Sequence, residues 1–76
     1  MTEISDKVLK LTITYIGPAS IKFLERQTVS HMNGLAFSAL EKKHIPELAK
    51  WVQVSGGLLI APAKAKELAD KIHALA

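Results

Sequence analysis

The stretch LKLTITYIGP, residues 9–18, decides the fold because it fits both a strand and a helix. Its apolar residues alternate with lysine and threonine at the period of a half-buried β-strand, namely Leu9, Leu11, Ile13 and Tyr15. A second set is spaced by three or four residues, as on one face of a helix, namely Ile4, Val8, Leu11 and Tyr15. Only the helix accounts for Ile4, which lies upstream of a strand that would begin near Val8.

A second segment supports the strand interpretation. WVQVSGGLLI, residues 51–60, can form a hairpin with Ser55-Gly56-Gly57 as its turn. With residues 9–15 it would make a small α+β domain, with strands near 9–15 and 51–60. The same region also carries a helical stripe of Leu48, Trp51, Val52, Ser55 and Leu59. Each glycine of the pair opposes a helix by roughly 1 kcal/mol.

The sequence YIGPAS, residues 15–20, followed by IKFL, resembles the Tyr-Ile-Gly-Pro-x-Ala signature of a small helical module. That module occurs beside response-regulator receiver, FHA and Ser/Thr kinase domains in bacterial signalling proteins, where it joins two helices at a tight Gly-Pro corner. Ser20 stands where the signature prefers alanine, and the C-terminal half has no matching motif. The resemblance implies an all-helical fold and a signalling context, and it carries no catalytic residues. We therefore predict an all-α fold, with residues 1–76 as one compact domain of three to four helices.

Caps and helix breakers predict where the helices begin and end. The first helix runs from about Thr2 to Ile16, with Thr2 or Ser5 as its N-cap, and stops at Gly17-Pro18. The second starts at Pro18 and closes at Asn33-Gly34, because both residues tolerate the left-handed conformation.

The connection LAFSALEKKH, residues 35–44, is predicted to be a short helix or turn with Ser38 and Glu41 as a capping box. Pro46 opens the third main segment and Pro62 opens the last helix. The apolar face of the last helix consists of Ala65, Leu68, Ala69, Ile72 and Leu75.

The composition favours a protein partner over nucleic acid or a membrane. Hydrophobic residues make up 49% of the 76 residues, and a chain of this size buries only roughly 60–65% of its unfolded surface. Exposed apolar patches, which usually mark a partner, are therefore expected. The net charge is +3, but the ten basic residues are dispersed, unlike the clusters at nucleic-acid interfaces. The longest run of apolar and small residues, SGGLLIAPA, is far shorter than the roughly 20 residues of a membrane span.

No catalytic or metal-binding motif is visible in the sequence. His31, His44 and His73 lie too far apart for a His-Glu-x-x-His motif, and there is no cysteine. Ser55 lacks the Gly-x-Ser-x-Gly frame of a nucleophile elbow. We predict no enzymatic activity, no cofactor and no metal. A cysteine-free chain whose start does not resemble a signal peptide fits the cytoplasm.

The predicted function is a non-catalytic helical module for protein interaction or oligomerisation in bacterial signalling or regulation. Its partner is another protein or a second copy of the chain, bound through an apolar helix face. The candidate contact residues are Trp51, Phe37, Leu35, Leu58 and Leu59. For the first three, a role in the core is the competing interpretation, and for Trp51 it is the commoner role of a single tryptophan. The alternative is a small helix-turn-helix-like nucleic-acid-binding protein, which needs a basic recognition stripe.

Overall fold

The helical interpretation of residues 9–15 is confirmed. The computed structural model describes the whole chain, Met1–Ala76. It contains four α-helices, which are α1 (Glu3–Ile16), α2 (Ser20–His31), α3 (Ile45–Gly56) and α4 (Pro62–His73). Three short 3₁₀ turns lie at Gly17–Ala19, Phe37–Ala39 and Lys42–His44. No strand forms, so the α+β alternative with strands near 9–15 and 51–60 is wrong.

Helix α1 begins with Thr2 as its N-cap. The Thr2 hydroxyl oxygen accepts a hydrogen bond from the Ser5 backbone N–H at 3.0 Å, and the hydroxyl donates to the Leu40 carbonyl at 2.5 Å. Ser5 is buried inside the first turn, and its hydroxyl donates to the Thr2 carbonyl at 2.9 Å. The cap therefore also ties the start of α1 to the connection between α2 and α3.

The Gly-Pro corner separates α1 from α2. Gly17 has a φ of +79°, which favours glycine. Pro18 lies in the 3₁₀ turn, so α2 begins at Ser20 and not at Pro18 as predicted. The Ser20 hydroxyl donates to the Gly17 carbonyl at 2.6 Å. The residue that departs from the resembled signature thus makes a hydrogen bond within this corner.

The segment after α2 differs in part from the prediction. Asn33 and Gly34 both have positive φ, 56° and 73°, and end the helix as expected. The capping box expected for Ser38 and Glu41 is wrong, because Glu41 is itself the N-cap of a 3₁₀ turn. The Glu41 backbone N–H donates to Nδ1 of His44 at 3.0 Å, which takes the place of the expected pair.

Each helix contributes an apolar face to one core. Its fully buried members include Val8, Leu24, Leu48, Val52, Leu68 and Ile72, and Phe37 joins them from the connection after α2. Helix α4 packs against both α3 and α1. Helix α3 ends at Gly56, so the predicted stripe does not extend along the helix to Leu59. No helix combines the length and the apolar character needed to cross a membrane.

Tyr15 links α1 to α4. Its hydroxyl donates a hydrogen bond to Oε2 of Glu67, and Nζ of Lys71 lies 5.2 Å from the ring centroid. Nζ of Lys64 lies 4.0 Å from the same carboxylate oxygen of Glu67. The hydrogen bond from Tyr15 and then the charge of Lys64 lower the pKa of Glu67 below its ordinary 4.5.

We expect Tyr15→Phe to raise the pKa of Glu67, because it removes the hydrogen bond and keeps the ring. A carboxyl with a lowered folded-state pKa stabilises the fold above its unfolded pKa, and this stabilisation is lost as the pH falls through the folded pKa. The stability of the wild-type protein should therefore fall more steeply with acid than that of Tyr15→Phe. An NMR titration of the Glu67 carboxyl carbon measures its pKa. Urea midpoints at several pH values in the acidic range measure how the stability of each protein changes with pH. In a Glu67→Gln background, Tyr15→Phe should leave the dependence of stability on pH unchanged. If the substitution still changes that dependence, a group other than Glu67 is responsible for it.

Candidate functional site

Helices α2 and α3 run side by side in opposite directions. Three pairs of residues meet along this contact: His31 with Trp51, Gln27 with Ser55, and Phe23 with Gly56. As the residue number rises along α2, the number of its partner on α3 falls. The two helices are therefore antiparallel. The polar residues among these pairs lie at the edge of the core and shape the surface beside it.

The end of α2 is fixed by an aromatic stack. The rings of His31 and Trp51 lie 4.0 Å apart between centroids and 9° from parallel. Nζ of Lys50 is 5.0 Å from the centroid of the Trp51 ring. Trp51 is half-buried and packs against the core, and its indole N–H is buried without a hydrogen-bond partner. Trp51 is therefore an edge residue of the core that is covered in part by His31.

Gln27 and Ser55 form a polar pair next to this stack. The Ser55 hydroxyl donates to Oε1 of Gln27 at 2.8 Å, and Nε2 of Gln27 donates to the Phe23 carbonyl at 3.2 Å. Gln27 is buried, so both ends of its amide need these partners. The pair therefore holds α2 and α3 together without leaving the buried amide unsatisfied.

A groove of about 510 Å³ opens above this pair, between α2 and the turn that follows α3. It is lined by ten residues: Ala19, Lys22, Phe23, Arg26, Gln27, Ser30, His31, Ser55, Leu58 and Leu59. Lys22 and Arg26 stand on the α2 side, and we call them the basic rim. Leu58 and Leu59 stand on the other side. The groove is therefore basic along one edge and apolar along the other.

The leucines beside the groove are strongly exposed. The side chain of Leu58 is 86% exposed and that of Leu59 is 58% exposed. We call Leu58 and Leu59 the apolar rim. Leu58 N–H donates to the Ser55 carbonyl at 3.1 Å and Leu59 N–H to the Gly56 carbonyl at 2.9 Å, so the turn that presents the leucines is hydrogen-bonded.

The charges of the basic rim are not neutralised within the chain. The three ion pairs of the protein lie on α1 and α4 and involve neither Lys22 nor Arg26. No aspartate or glutamate lines the groove. Its edge is therefore open to an anionic group.

The candidate contact residues predicted from the sequence lie in different surroundings. Leu58 and Leu59 share the apolar rim, and Trp51 lies at the edge of the core. Leu35 is half-buried against the core. Phe37 requires a correction: it is buried to 2% exposure, so it fills the core and is not presented to a partner.

Two residues of this site did not emerge from the sequence. Lys22 and Arg26 were part of a dispersed set of basic residues, although their spacing of four places them on one helical side. That spacing was the available signal.

No three histidine, cysteine, aspartate or glutamate side chains lie close enough together to hold a metal ion. No protein-family model, curated protein or solved structure matches the chain. The resemblance of residues 15–24 to the Tyr-Ile-Gly-Pro module stays a prediction.

Proposed function

We propose that the protein is a non-catalytic helical module that binds a protein partner in the groove beside α2. One observation carries this proposal: the exposed leucines 58 and 59 stand on a hydrogen-bonded turn at the edge of a groove of about 510 Å³. Contiguous apolar surface with a polar border is typical of protein-interaction sites. Burial of this surface contributes roughly 25 cal/mol per Å² before the cost of association is subtracted.

The polar groups of the groove support a binding role over a catalytic one. The Ser55 hydroxyl donates to an amide oxygen, and not to a base that could activate it. The His31 ring is stacked on Trp51 and lies beyond the polar pair. A nucleophile with an adjacent base is therefore not assembled from these residues.

Oligomerisation is one form of this function, in which a second copy supplies the apolar surface. Bacterial signalling or regulation is the context that the Tyr-Ile-Gly-Pro resemblance predicts. In either form, the binding energy comes from covering the apolar rim.

A selection of displayed random peptides of about 14 residues on the full chain tests this proposal. We expect enriched peptides to lose at least about tenfold in affinity for Leu58→Ser, since burial of a leucine contributes about 1.5–3 kcal/mol and tenfold corresponds to 1.4 kcal/mol. Fluorescence anisotropy of labelled peptides gives the Kd for each variant. The free energy of unfolding should not change, because Leu58 is exposed.

Ile13→Ser is the matched control, because Ile13 is an exposed apolar residue of α1 that does not line this groove. Its Kd values should equal those of the wild type. A selection in which every enriched peptide binds Leu58→Ser as tightly as the wild-type chain would refute the proposed function.

A further inference from the structure

We infer that the partner in this groove is an acidic amphipathic helix of about three turns that belongs to a different protein. This inference rests on the proposed function and names the chemistry of its partner. The groove joins three features that select such a partner: an unneutralised basic rim, an opposing apolar rim, and walls made only of helix and turn.

The charge of the partner follows from the basic rim. Lys22 and Arg26 lie four residues apart on α2 and line the groove, while neither takes part in an ion pair. Glu25 is exposed on the same helix but does not line the groove. Arg26 offers the forked donor geometry that fits a carboxylate. Carboxylates on the partner can therefore pair with both cations, and no ion pair within the chain has to be broken first.

The helical form of the partner follows from the shape of the groove. Its lining along this side runs from Ala19, directly before α2, to His31 at the end of α2, which at about 1.5 Å per residue is about 18 Å or three turns. The walls offer no open strand edge, so an added strand would find no backbone to pair with. A helix satisfies its own backbone and can present an apolar stripe to Leu58 and Leu59 beside an acidic stripe facing the basic rim.

Charge also argues against a second copy as the occupant. A two-fold dimer through this face would place the groove of one chain against the same groove of the other. The interface would then contain Lys22 and Arg26 of both chains, and the lining of neither groove would supply a carboxylate to pair with them; like charges at an interface oppose association. An acidic partner removes this repulsion.

The test uses the same peptide selection on the full chain, with the charge of the enriched peptides as an added readout. We expect the enriched set to carry net negative charge and apolar residues at helical spacing. The double variant Lys22→Glu/Arg26→Glu should lower the affinity for these peptides at least about tenfold, since it turns two attractions into repulsions. Raising NaCl from roughly 0.05 M to 0.5 M should weaken wild-type binding in the same direction.

Lys10→Glu is the matched control, because it reverses the charge of an exposed lysine on α1 outside this groove. It should leave the Kd nearly unchanged. The single variants Lys22→Glu and Arg26→Glu change the net charge by the same amount as Lys10→Glu. If all three lose the same affinity for the peptides, the net charge of the protein, and not the basic rim, attracts them. That result would overturn the inference.

The remaining outcomes separate this inference from the proposed function. Peptides that depend on Leu58 but are neutral or basic would overturn the acidic partner and leave the interaction module intact. If light scattering shows a wild-type dimer that Leu58→Ser converts to a monomer, the occupant is a second copy. This result too would overturn the acidic partner and leave the interaction module intact. Binding of a random-sequence DNA duplex that is lost in the double rim variant would assign the groove to nucleic acid and overturn both.

Discussion

Phe37→Ala is expected to lower the free energy of unfolding by about 3–5 kcal/mol. Phe37 heads the large fully buried side chains, with 2% of its surface exposed. It lies in the 3₁₀ turn Phe37–Ala39, which contacts both α1 and α2. Truncation would leave a cavity between elements that are already fixed at several points, including the hydrogen bond from Thr2 to the Leu40 carbonyl. A chain of this size has a total stability of roughly 4–11 kcal/mol, so this loss is a large part of it.

Urea unfolding followed by circular dichroism measures this loss. Leu58→Ala is the matched control, because it truncates an apolar side chain that is 86% exposed. Its free energy of unfolding should stay within about 0.5 kcal/mol of the wild-type value. Similar losses in the two variants would contradict the assignment of Phe37 to the core. A stable Phe37→Ala variant that loses peptide binding would restore Phe37 as a partner-contact residue.

The helices could be predicted because their local signals agree with the final packing. In α1, the apolar face starts at Ile4 and continues through Val8, Leu11 and Tyr15, and only the helical period includes Ile4. Ile13, which belongs only to the alternating set, is 49% exposed. Thr2 and the Gly17-Pro18 corner marked the two ends of this helix from local chemistry alone. Such signals lie within a few residues of one another, so they are readable without the tertiary structure.

The role of Phe37 could not be predicted, because its segment has no period. An apolar residue in an irregular connection is buried or exposed according to the elements that pass over it. Here α1 and α2 both pass over the turn that carries it. Only the packing of these helices decides between the two roles that the sequence left open.

The candidate site was predictable on its apolar side and not on its basic side. Leu58 and Leu59 follow the glycine pair that ends α3, where no helical face remains to bury them. Lys22 and Arg26 are two of ten basic residues dispersed along the sequence. Folding places them opposite the leucines, in a groove without an acidic residue. This juxtaposition joins residues more than thirty positions apart, beyond the reach of any local pattern.

The last glycine of α3 allows α3 and α4 to approach closely. Gly56 is buried, and a Cβ at this position would lie 3.4 Å from Cβ of Ala65 and 3.8 Å from Cζ of Phe23. A methyl group therefore just fits, with little space beyond it. At Gly57 a Cβ would meet only backbone oxygens of the same helix, at 3.5 Å or more. The two neighbouring glycines thus differ in whether another helix faces them.

Gly56→Leu is therefore expected to lower the free energy of unfolding by about 3 kcal/mol, because its side chain would force α4 or Phe23 away from α3. Gly56→Ala should change the stability by less than about 1 kcal/mol, since its gain in helix propensity offsets the tight contact with Ala65. Gly57→Leu is the matched control and should also stay within about 1 kcal/mol, as Gly57 is half-exposed and can direct a side chain to solvent. Urea unfolding of the three variants measures these differences. A Gly56→Leu variant as stable as Gly57→Leu would show that the glycine serves only to end α3, and that the contact with α4 does not require it.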